Sequence, residues 1–200
     1  MNETDNSTDQ NVLWFSETLK LLGRSEIIYR LYSRIRCGIQ KYINNTFEAT
    51  KIVDNLWLGS LASASNLEAL QERNIKTVVN TILGGVAMYP FDINYERVKL
   101  RDVEDEDIIA AIEKLVPIIH EKLQAGEGIL THCVQGRSRS ATIVAAYLIR
   151  YHHMTAEEAV AFIKDKRTQV EPNPGYIRQL HEYEQKVRSY FVVDDNKKNN

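Results

Sequence analysis

Cysteine is scarce in this 200-residue sequence, which contains only Cys37 and Cys133. Two thiols are too few for a disulfide framework or for a zinc site built from thiolates. The histidines are scattered, and the adjacent pair His152 and His153 does not have the spacing of metal ligands. We therefore expect no metal site, and we expect a protein of a reducing compartment, either the cytoplasm or the nucleus.

Long apolar runs and a strong net charge are also absent. No segment reaches the roughly 18 apolar residues that a membrane-spanning helix needs, and the formal net charge is only -2. This near-neutral balance gives no strong field for binding nucleic acid, so we expect no nucleic-acid partner. The polar, acidic start MNETDNSTDQ does not have the pattern of a secretory signal. We expect residues 1–10 and 191–200 to be disordered.

A basic helical arm is predicted at the N-terminal side, over residues 11–46. Its six Lys or Arg residues outnumber its two Glu residues. The pattern fits three interpretations: a helix packed on the main domain, a dimerisation or docking arm, or a helix on a membrane surface. Apolar side chains recur in the arm at spacings of three and four, as on one helix face; they are Ile28, Leu31, Ile35, Ile39 and Tyr42.

Strand-like and helix-like segments alternate through residues 47–190, which we assign to one domain. This alternation predicts an α/β fold with a single central, mostly parallel sheet flanked by helices. The predicted strands are KIV and LWLG around an Asp-Asn turn, IKTVVN, NYERVKL and GEGILTH. The predicted helices are NLEALQERN, IIAAIEKLVPIIHEKLQ, SATIVAAYLIRYH, TAEEAVAFIKDKR and PGYIRQLHEYEQKV.

The segment THCVQGRSRS, residues 131–140, joins a predicted buried strand to an apolar helix. In open α/β sheets, ligands bind at the carboxyl ends of the strands. A helix N-terminus offers unpaired N–H groups, and a loop that curls its amides inward forms an anion site. Gly136 permits a tight curl, and Ser138 and Ser140 can cap the helix or hydrogen-bond the loop. The segment therefore predicts an anion-binding loop.

The same loop predicts a reactive thiolate. Cys133 lies beside bare amides, a helix N-terminus and a guanidinium, and each of these favours the thiolate over the thiol. Arg139 follows six positions later, and its planar fork can bind two oxygens of a phosphate at once. The pattern therefore predicts a site that binds a phosphate ester with the sulfur of Cys133 in line with the phosphorus.

Cleavage of a phosphate ester also requires a proton for the leaving oxygen. An acidic cluster after NYERVKL supplies the candidates, and most of its members fit a solvated turn that also caps the next helix. The residues alone leave the choice within this cluster open. Its members are Asp102, Glu104, Asp105, Glu106 and Asp107.

The loop HCVQGRSRS resembles the signature loop of the dual-specificity phosphatases, a group within the cysteine-dependent protein tyrosine phosphatases. Three further stretches resemble the same family: IVDNLWLGS, IKTVVN and RTQVEPNPGYIRQLHEYE. The resemblance covers about Lys51 to Gln185 and implies a protein tyrosine phosphatase-like fold. It also implies hydrolysis of phosphotyrosine and phosphoserine or phosphothreonine in proteins through a cysteinyl-phosphate, without a metal or other cofactor.

The resemblance also implies the general acid. The family places its acid six residues before the first apolar position of the next helix, which is the spacing from Asp102 to Ile108. Asp102 is therefore the expected acid, and Asp105 is the second candidate.

Other roles follow from position in the signature loop. Ser140 is expected to stabilise the thiolate, and His132 either holds the nucleophile through backbone hydrogen bonds or is a plain core histidine. Asn173 resembles a family asparagine that supports the loop. The loop amides and the arginine fork are expected to bind the phosphoryl oxygens; the residues are Val134, Gln135, Gly136, Arg137, Ser138 and Arg139.

The substrate class has two alternatives. Arg137 makes the loop more basic and, with the basic arm, fits a lipid-phosphate phosphatase that acts on a phosphoinositide or on phosphatidylglycerophosphate. A phosphopeptide-binding pseudophosphatase is the non-enzyme alternative, but such a protein lacks the nucleophile, the arginine or the acid. Resemblance to poxvirus relatives that dimerise through an N-terminal helix implies that a homodimer can form through the arm.

Overall fold

The computed structural model describes residues 48–198, with side chains described as far as Ser189. The predicted segments 1–10 and 11–46 lie outside the described residues. The described strands are β1 Thr50–Val53, β2 Leu56–Gly59, β3 Ile75–Ile82, β4 Asn94–Leu100 and β5 Gly128–His132. The helices are α1 Leu61–Ala64, α2 Leu67–Glu72, α3 Ile109–Gln124, α4 Arg139–His152, α5 Ala156–Lys166 and α6 Pro174–Lys198.

The five strands form one sheet in the order β1-β2-β5-β3-β4. β1 and β2 are antiparallel and are joined at Asn55, whose φ of 61° makes the tight turn predicted from Asp-Asn. The pairs β2–β5, β5–β3 and β3–β4 are all parallel. The predicted mostly parallel sheet is therefore confirmed, because three of its four strand pairs are parallel.

Helices cover both faces of the sheet. Neighbouring residues of a strand point to opposite faces, so Ile129 of β5 packs with α3–α6 while Leu130 packs with α1 and α2. The helix α4 contacts α3, α5 and α6 and is buried almost all round from Ala141 to Ile149. This burial explains the unbroken apolar run of the α4 sequence, since a helix inside the core has no solvent face.

Side-chain caps fix several helix ends at the predicted residues. Thr155 and Glu158 form the predicted capping box at the start of α5. The side chain of Asn66 accepts a hydrogen bond from the Ala69 N–H at 3.1 Å at the start of α2. Asp107 accepts from the Ile109 N–H at 2.9 Å, which satisfies a free donor of α3.

The last helix continues further than the sequence predicts. α6 ends at Lys198, whereas we expected the domain to end at residue 190 and a disordered tail to follow. Each residue added to an existing helix gains a backbone hydrogen bond, so a polar composition does not by itself end a helix. None of the helices within residues 48–198 is both long enough and apolar enough to cross a membrane.

The four parallel strands place their carboxyl ends along one edge of the sheet. The central strand β5 leads into Cys133 at this edge, and the edge strand β4 leads into Asp102. The fold therefore brings the predicted anion-binding loop and the acidic cluster to the same side of the molecule.

Candidate active site

The segment 133–139, which follows β5 and ends at the first residue of α4, turns its carbonyl groups outward. We call it the phosphate loop. Five successive carbonyls accept hydrogen bonds from residues outside the loop, so the amides that alternate with them face inward and form an anion nest. Gly136, with φ of 70°, makes the curl, and a Cβ there would lie 2.4 Å from the Gly59 carbonyl oxygen. The accepting residues are Val134, Gln135, Gly136, Arg137 and Ser138.

Arg167 holds the phosphate loop in this shape, and we did not assign it a role from the sequence. Its Nε donates to the Gly136 carbonyl at 3.0 Å and its Nη2 to the Gln135 carbonyl at 3.0 Å. Nη1 donates to the Glu48 carbonyl at 2.7 Å, so one guanidinium joins the loop to the chain two residues before β1. The side chain is buried, and its three guanidinium nitrogens reach three carbonyls that the single nitrogen of a lysine would not span.

The sulfur of Cys133 lies in the mouth of the nest, where the side chain is only 2% exposed. Its Sγ accepts hydrogen bonds from the Gly136 N–H at 3.1 Å and from the Ser140 hydroxyl at 3.3 Å. Burial raises the pKa of the thiol, but the Ser140 hydroxyl, the Arg139 charge and the backbone N–H groups of Ser140 and Arg137 outweigh it. The pKa of Cys133 is therefore lowered, which favours the nucleophilic thiolate.

Arg139 places a donor in the same site. Its side chain is buried, and Nη1 donates to the Leu100 carbonyl at 3.2 Å. Nε is buried and has no hydrogen-bond partner among residues 48–198, although it lies 3.5 Å from Oδ2 of Asp102. A buried donor without a partner is costly, so this N–H is available to a phosphoryl oxygen bound in the nest.

Asp102 contacts the phosphate loop directly. Its Oδ1 accepts hydrogen bonds from the Ser138 hydroxyl at 2.6 Å and from Nδ2 of Asn173 at 3.1 Å. Because both donors use Oδ1, Oδ2 accepts neither of these hydrogen bonds, and its neighbour is the Arg139 guanidinium at 3.5 Å. The Ser138 hydroxyl therefore holds Asp102 and does not cap α4, although Ser138 occupies the N-cap position.

The other carboxylates of the acidic cluster point elsewhere. Glu106 pairs with Arg101 at 2.6 Å, and Glu104 pairs with Arg178 at 3.7 Å. Asp107 accepts a hydrogen bond from the Ile109 N–H at the N-terminus of α3. Asp105, the second candidate for the acid, is exposed. The contacts with Ser138 and Asn173 therefore favour Asp102 as the acid.

The start of α6 supports both the acid and the phosphate loop. The Asn173 N–H donates to the Ser138 hydroxyl at 3.2 Å, and Oδ1 of Asn173 accepts from the Tyr176 N–H at 2.9 Å. Gly175 packs against the acidic cluster so closely that a Cβ there would lie 2.0 Å from the Glu104 carbonyl oxygen. Sequence reasoning did not find Gly175, because the glycine's neighbour lies far away in the chain.

His132 is buried at the end of β5 and is 1% exposed. Burial lowers its pKa to about 4, and the charge of Arg139 acts in the same direction, so the ring is neutral near pH 7. Nδ1 lies 3.2 Å from the Cys133 carbonyl; since a carbonyl only accepts, Nδ1 carries the hydrogen. The histidine is therefore hydrogen-bonded to the backbone of Cys133, and its role in holding a nucleophile stays a prediction.

One group of side chains in the described chain has metal-ligand types, and it lies on α5 and α6. Its potential ligand atoms lie within 4.8 Å of one another and belong to Glu157, His181 and Glu184. Glu184 has partners outside the group, since it accepts from the Ala156 N–H at 2.8 Å and pairs with Arg188 at 2.8 Å, while His181 lies 3.4 Å from Glu157. The absence of a metal or cofactor from the reaction stays a prediction.

Comparison with known proteins identifies the family. Residues 56–186 match the family described as dual specificity phosphatase, catalytic domain. Dual specificity protein phosphatase 1B of Arabidopsis thaliana is 33% identical over 163 residues, which cover 82% of this chain and 98% of that protein. Dual specificity protein phosphatase 1 of the same plant is 36% identical over 137 residues, covering 68% of this chain and 69% of that protein.

Solved structures agree with the sequence comparison. The crystal structure of human DUSP28 superimposes with a TM-score of 0.68 at 29% identity, covering 70% of this chain and 99% of that chain. The fold, the signature loop and these similarities lead to one conclusion. The chain belongs to the dual-specificity phosphatase family, and it is an enzyme that removes phosphate from tyrosine and from serine or threonine in proteins.

Proposed function

We propose that Cys133 is the nucleophile and Asp102 the general acid of a two-step phosphatase reaction. The observation that carries the proposal is the meeting of three groups at one sheet edge: a thiol with a lowered pKa, a buried unpaired Arg139 N–H, and a carboxyl group held on the loop. In the first step the thiolate forms a bond to phosphorus while the ester P–O bond breaks. The proton of Asp102 passes to the leaving oxygen.

The second step frees the enzyme. Asp102, now ionised, takes a proton from water as the water oxygen attacks phosphorus, and the S–P bond breaks to release inorganic phosphate. Ser140 stabilises the leaving thiolate because its hydroxyl already donates to Sγ. The loop amides and Arg139 neutralise the phosphoryl oxygens through both steps, each amide donor worth roughly 3 kcal/mol by comparison with oxyanion holes.

The charges around the site support a phosphorylated protein as the substrate and not a multiply charged lipid headgroup. Arg101, Arg137 and Arg178 surround the phosphate loop and the acidic cluster, and each pairs with a carboxylate. The surface around the site is therefore close to neutral. Such a surface suits a single phosphate on a protein whose neighbouring side chains vary in charge. Leu83 and Val103 follow neighbouring strands at the same edge and are 45% and 39% exposed, so apolar neighbours of the phosphorylated residue have surfaces to contact.

The acid assignment is tested by Asp102→Asn. We expect kcat on an alkyl phosphate to fall by about 10²–10⁴-fold, because alkoxide needs the proton that asparagine does not supply. The loss should be smaller on p-nitrophenyl phosphate, whose leaving group is stable without a proton. Steady-state rates of phosphate release measure both.

Two variants complete this test. Cys133→Ser should abolish release from both substrates, because the serine hydroxyl is not ionised in this site. Asp105→Asn is the matched control and should retain the wild-type rate. A large loss in Asp105→Asn with little change in Asp102→Asn would show that the acid is misassigned.

The basic arm lies outside the described residues, so its role is proposed from the sequence alone. We propose that residues 11–46 form a helix through which two chains form a homodimer, in a cytoplasmic enzyme whose thiolate stays reduced. Deletion of residues 1–46 should change the mass measured by light scattering from that of two full chains to that of one shortened chain, and leave activity on p-nitrophenyl phosphate. Binding to anionic vesicles that is lost on deletion, with no change in mass, would contradict the dimer and favour a membrane-surface helix.

A further inference from the structure

Arg137 and Glu171 form an ion pair beside the phosphate loop. Nη2 of Arg137 contacts Oε2 of Glu171, and the Glu171 backbone N–H donates to the Arg137 carbonyl at 2.9 Å. The two side chains are 50% and 63% exposed. The pair is therefore open to solvent and accessible to a peptide whose phosphate is bound in the loop.

The reaction does not use this ion pair. Phosphate binding uses the backbone N–H of Arg137 and the guanidinium of Arg139, so the side chain of Arg137 is a second cation with no role in the chemistry. The hydrogen bond and charge of Arg137 lower the pKa of Glu171, so the carboxylate is ionised near pH 7 and offsets this cation.

The position of Glu171 is fixed by its neighbours in the chain. Residues 167–173 are bonded to the phosphate loop from both sides of Glu171: Gln169 donates to the Gln135 carbonyl at 2.9 Å, and the Asn173 N–H donates to Ser138 at 3.2 Å. A carboxylate on such a fixed backbone stays next to Arg137, and its charge acts on any ligand that approaches the rim of the site.

We propose that Glu171 is a specificity-determining residue that disfavours substrates with an acidic side chain beside the phosphorylated residue. It does so in two ways: it occupies Arg137, the cation that would otherwise attract the acidic side chain, and it repels that side chain directly. This inference rests on the proposed function, since it requires a phosphopeptide bound with its phosphate in the loop. The preference is for phosphorylated residues with neutral or basic neighbours.

Two phosphotyrosine peptides test the inference, one with glutamate on both sides of the phosphotyrosine and one with glutamine. The measurement is the ratio of kcat/KM for the acidic peptide to kcat/KM for the neutral peptide, in which general losses of activity cancel. We expect Glu171→Gln to raise this ratio about threefold, the scale of an exposed charge pair. The double variant Arg137→Gln/Glu171→Gln should show a smaller rise, because the released cation is then absent.

The matched control is Glu182→Gln, which removes an exposed carboxylate of α6. It should leave the ratio at the wild-type value. An unchanged ratio in Glu171→Gln, or an equal rise in Glu182→Gln, would overturn the inference. The same holds if Glu171→Gln raises kcat/KM for soluble inositol phosphates but for neither peptide. Hydrolysis of the neutral peptide by the wild-type enzyme tests the proposed function separately. Failure of the proposed function would abolish this hydrolysis, whereas failure of the inference alone would leave it intact.

Discussion

The reactivity of Cys133 depends on a balance between burial and a few donors. Its side chain is almost fully enclosed, which by itself disfavours a charged sulfur. The donors at 3.1 Å and 3.3 Å and the nearby Arg139 charge reverse this effect. Loss of a single donor should therefore change how the thiol titrates while the fold stays intact.

We predict that Ser140→Ala raises the pKa of Cys133. The thiolate is the species that iodoacetate alkylates, so the rate of inactivation should reach its plateau at a higher pH than in the wild-type enzyme. The measurement is the inactivation rate as a function of pH. Ser189→Ala, an exposed serine of α6, is the control and should keep the wild-type profile. An identical profile for Ser140→Ala would show that the hydroxyl does not stabilise the thiolate.

At the scale of elements, the N-terminal end of α6 packs against the loop that carries the acid. The backbone of Glu104 approaches Gly175 so closely that there is no room for a Cβ. The cause of this approach is the pair of contacts that Asn173 makes with Asp102 and Ser138. The position of α6 and the position of the acid therefore depend on each other.

Gly175→Ala should displace the acid without touching the nucleophile. We expect kcat on an alkyl phosphate to fall at least tenfold while kcat on p-nitrophenyl phosphate changes much less, since only the first substrate needs the proton. Gly126→Ala is the control: it has open space around it and lies far from the acid in the chain, and its φ of 77° should cost about 1–2 kcal/mol of stability. Equal losses on both substrates in Gly175→Ala would contradict a specific effect on the acid.

Element types and several ends were predictable from the sequence because their causes are local. Both residues of the capping box, Thr155 and Glu158, lie within four positions of each other, so the local sequence predicts it. The apolar run of α4 likewise predicts that this helix is buried. Asp102 was proposed as the acid through the family resemblance and not through spacing alone, and the assignment stays a prediction. Arg167 and Gly175 lie in a stretch that resembles the family, but their roles had no local signal, because their partners lie far away in the chain.

At the scale of the whole molecule, the neutral state of His132 links the active site to the stability of the fold. Burial lowers its pKa from the ordinary value of 6.5 to about 4. The unfolded chain therefore binds a proton at a higher pH than the folded chain does. The resulting contribution to stability is complete above pH 6.5 and is lost as the pH falls through about 4.

His132→Asn should make unfolding less dependent on pH. At 1.36 kcal/mol per pKa unit, the histidine accounts for about 3 kcal/mol of the stability that the wild-type protein loses between pH 7 and pH 4. Asparagine can still donate to the Cys133 carbonyl but does not titrate. Free energies of unfolding from urea titrations at several pH values measure the effect. If the free energy of unfolding depends on pH in the same way in both proteins, His132 takes up its proton at the same pH in the folded and unfolded chains, which would contradict the prediction.

The supports of the phosphate loop have an order along the chain that matters during protein synthesis. Arg167, Gln169, Glu171 and Asn173 all come after the signature that they hold in place. A nascent chain that has emerged from the ribosome only as far as α5 contains every residue of the signature but none of these four donors. Such a chain does not yet have the completed loop, so the phosphatase gains its activity only when the start of α6 has been translated and has docked.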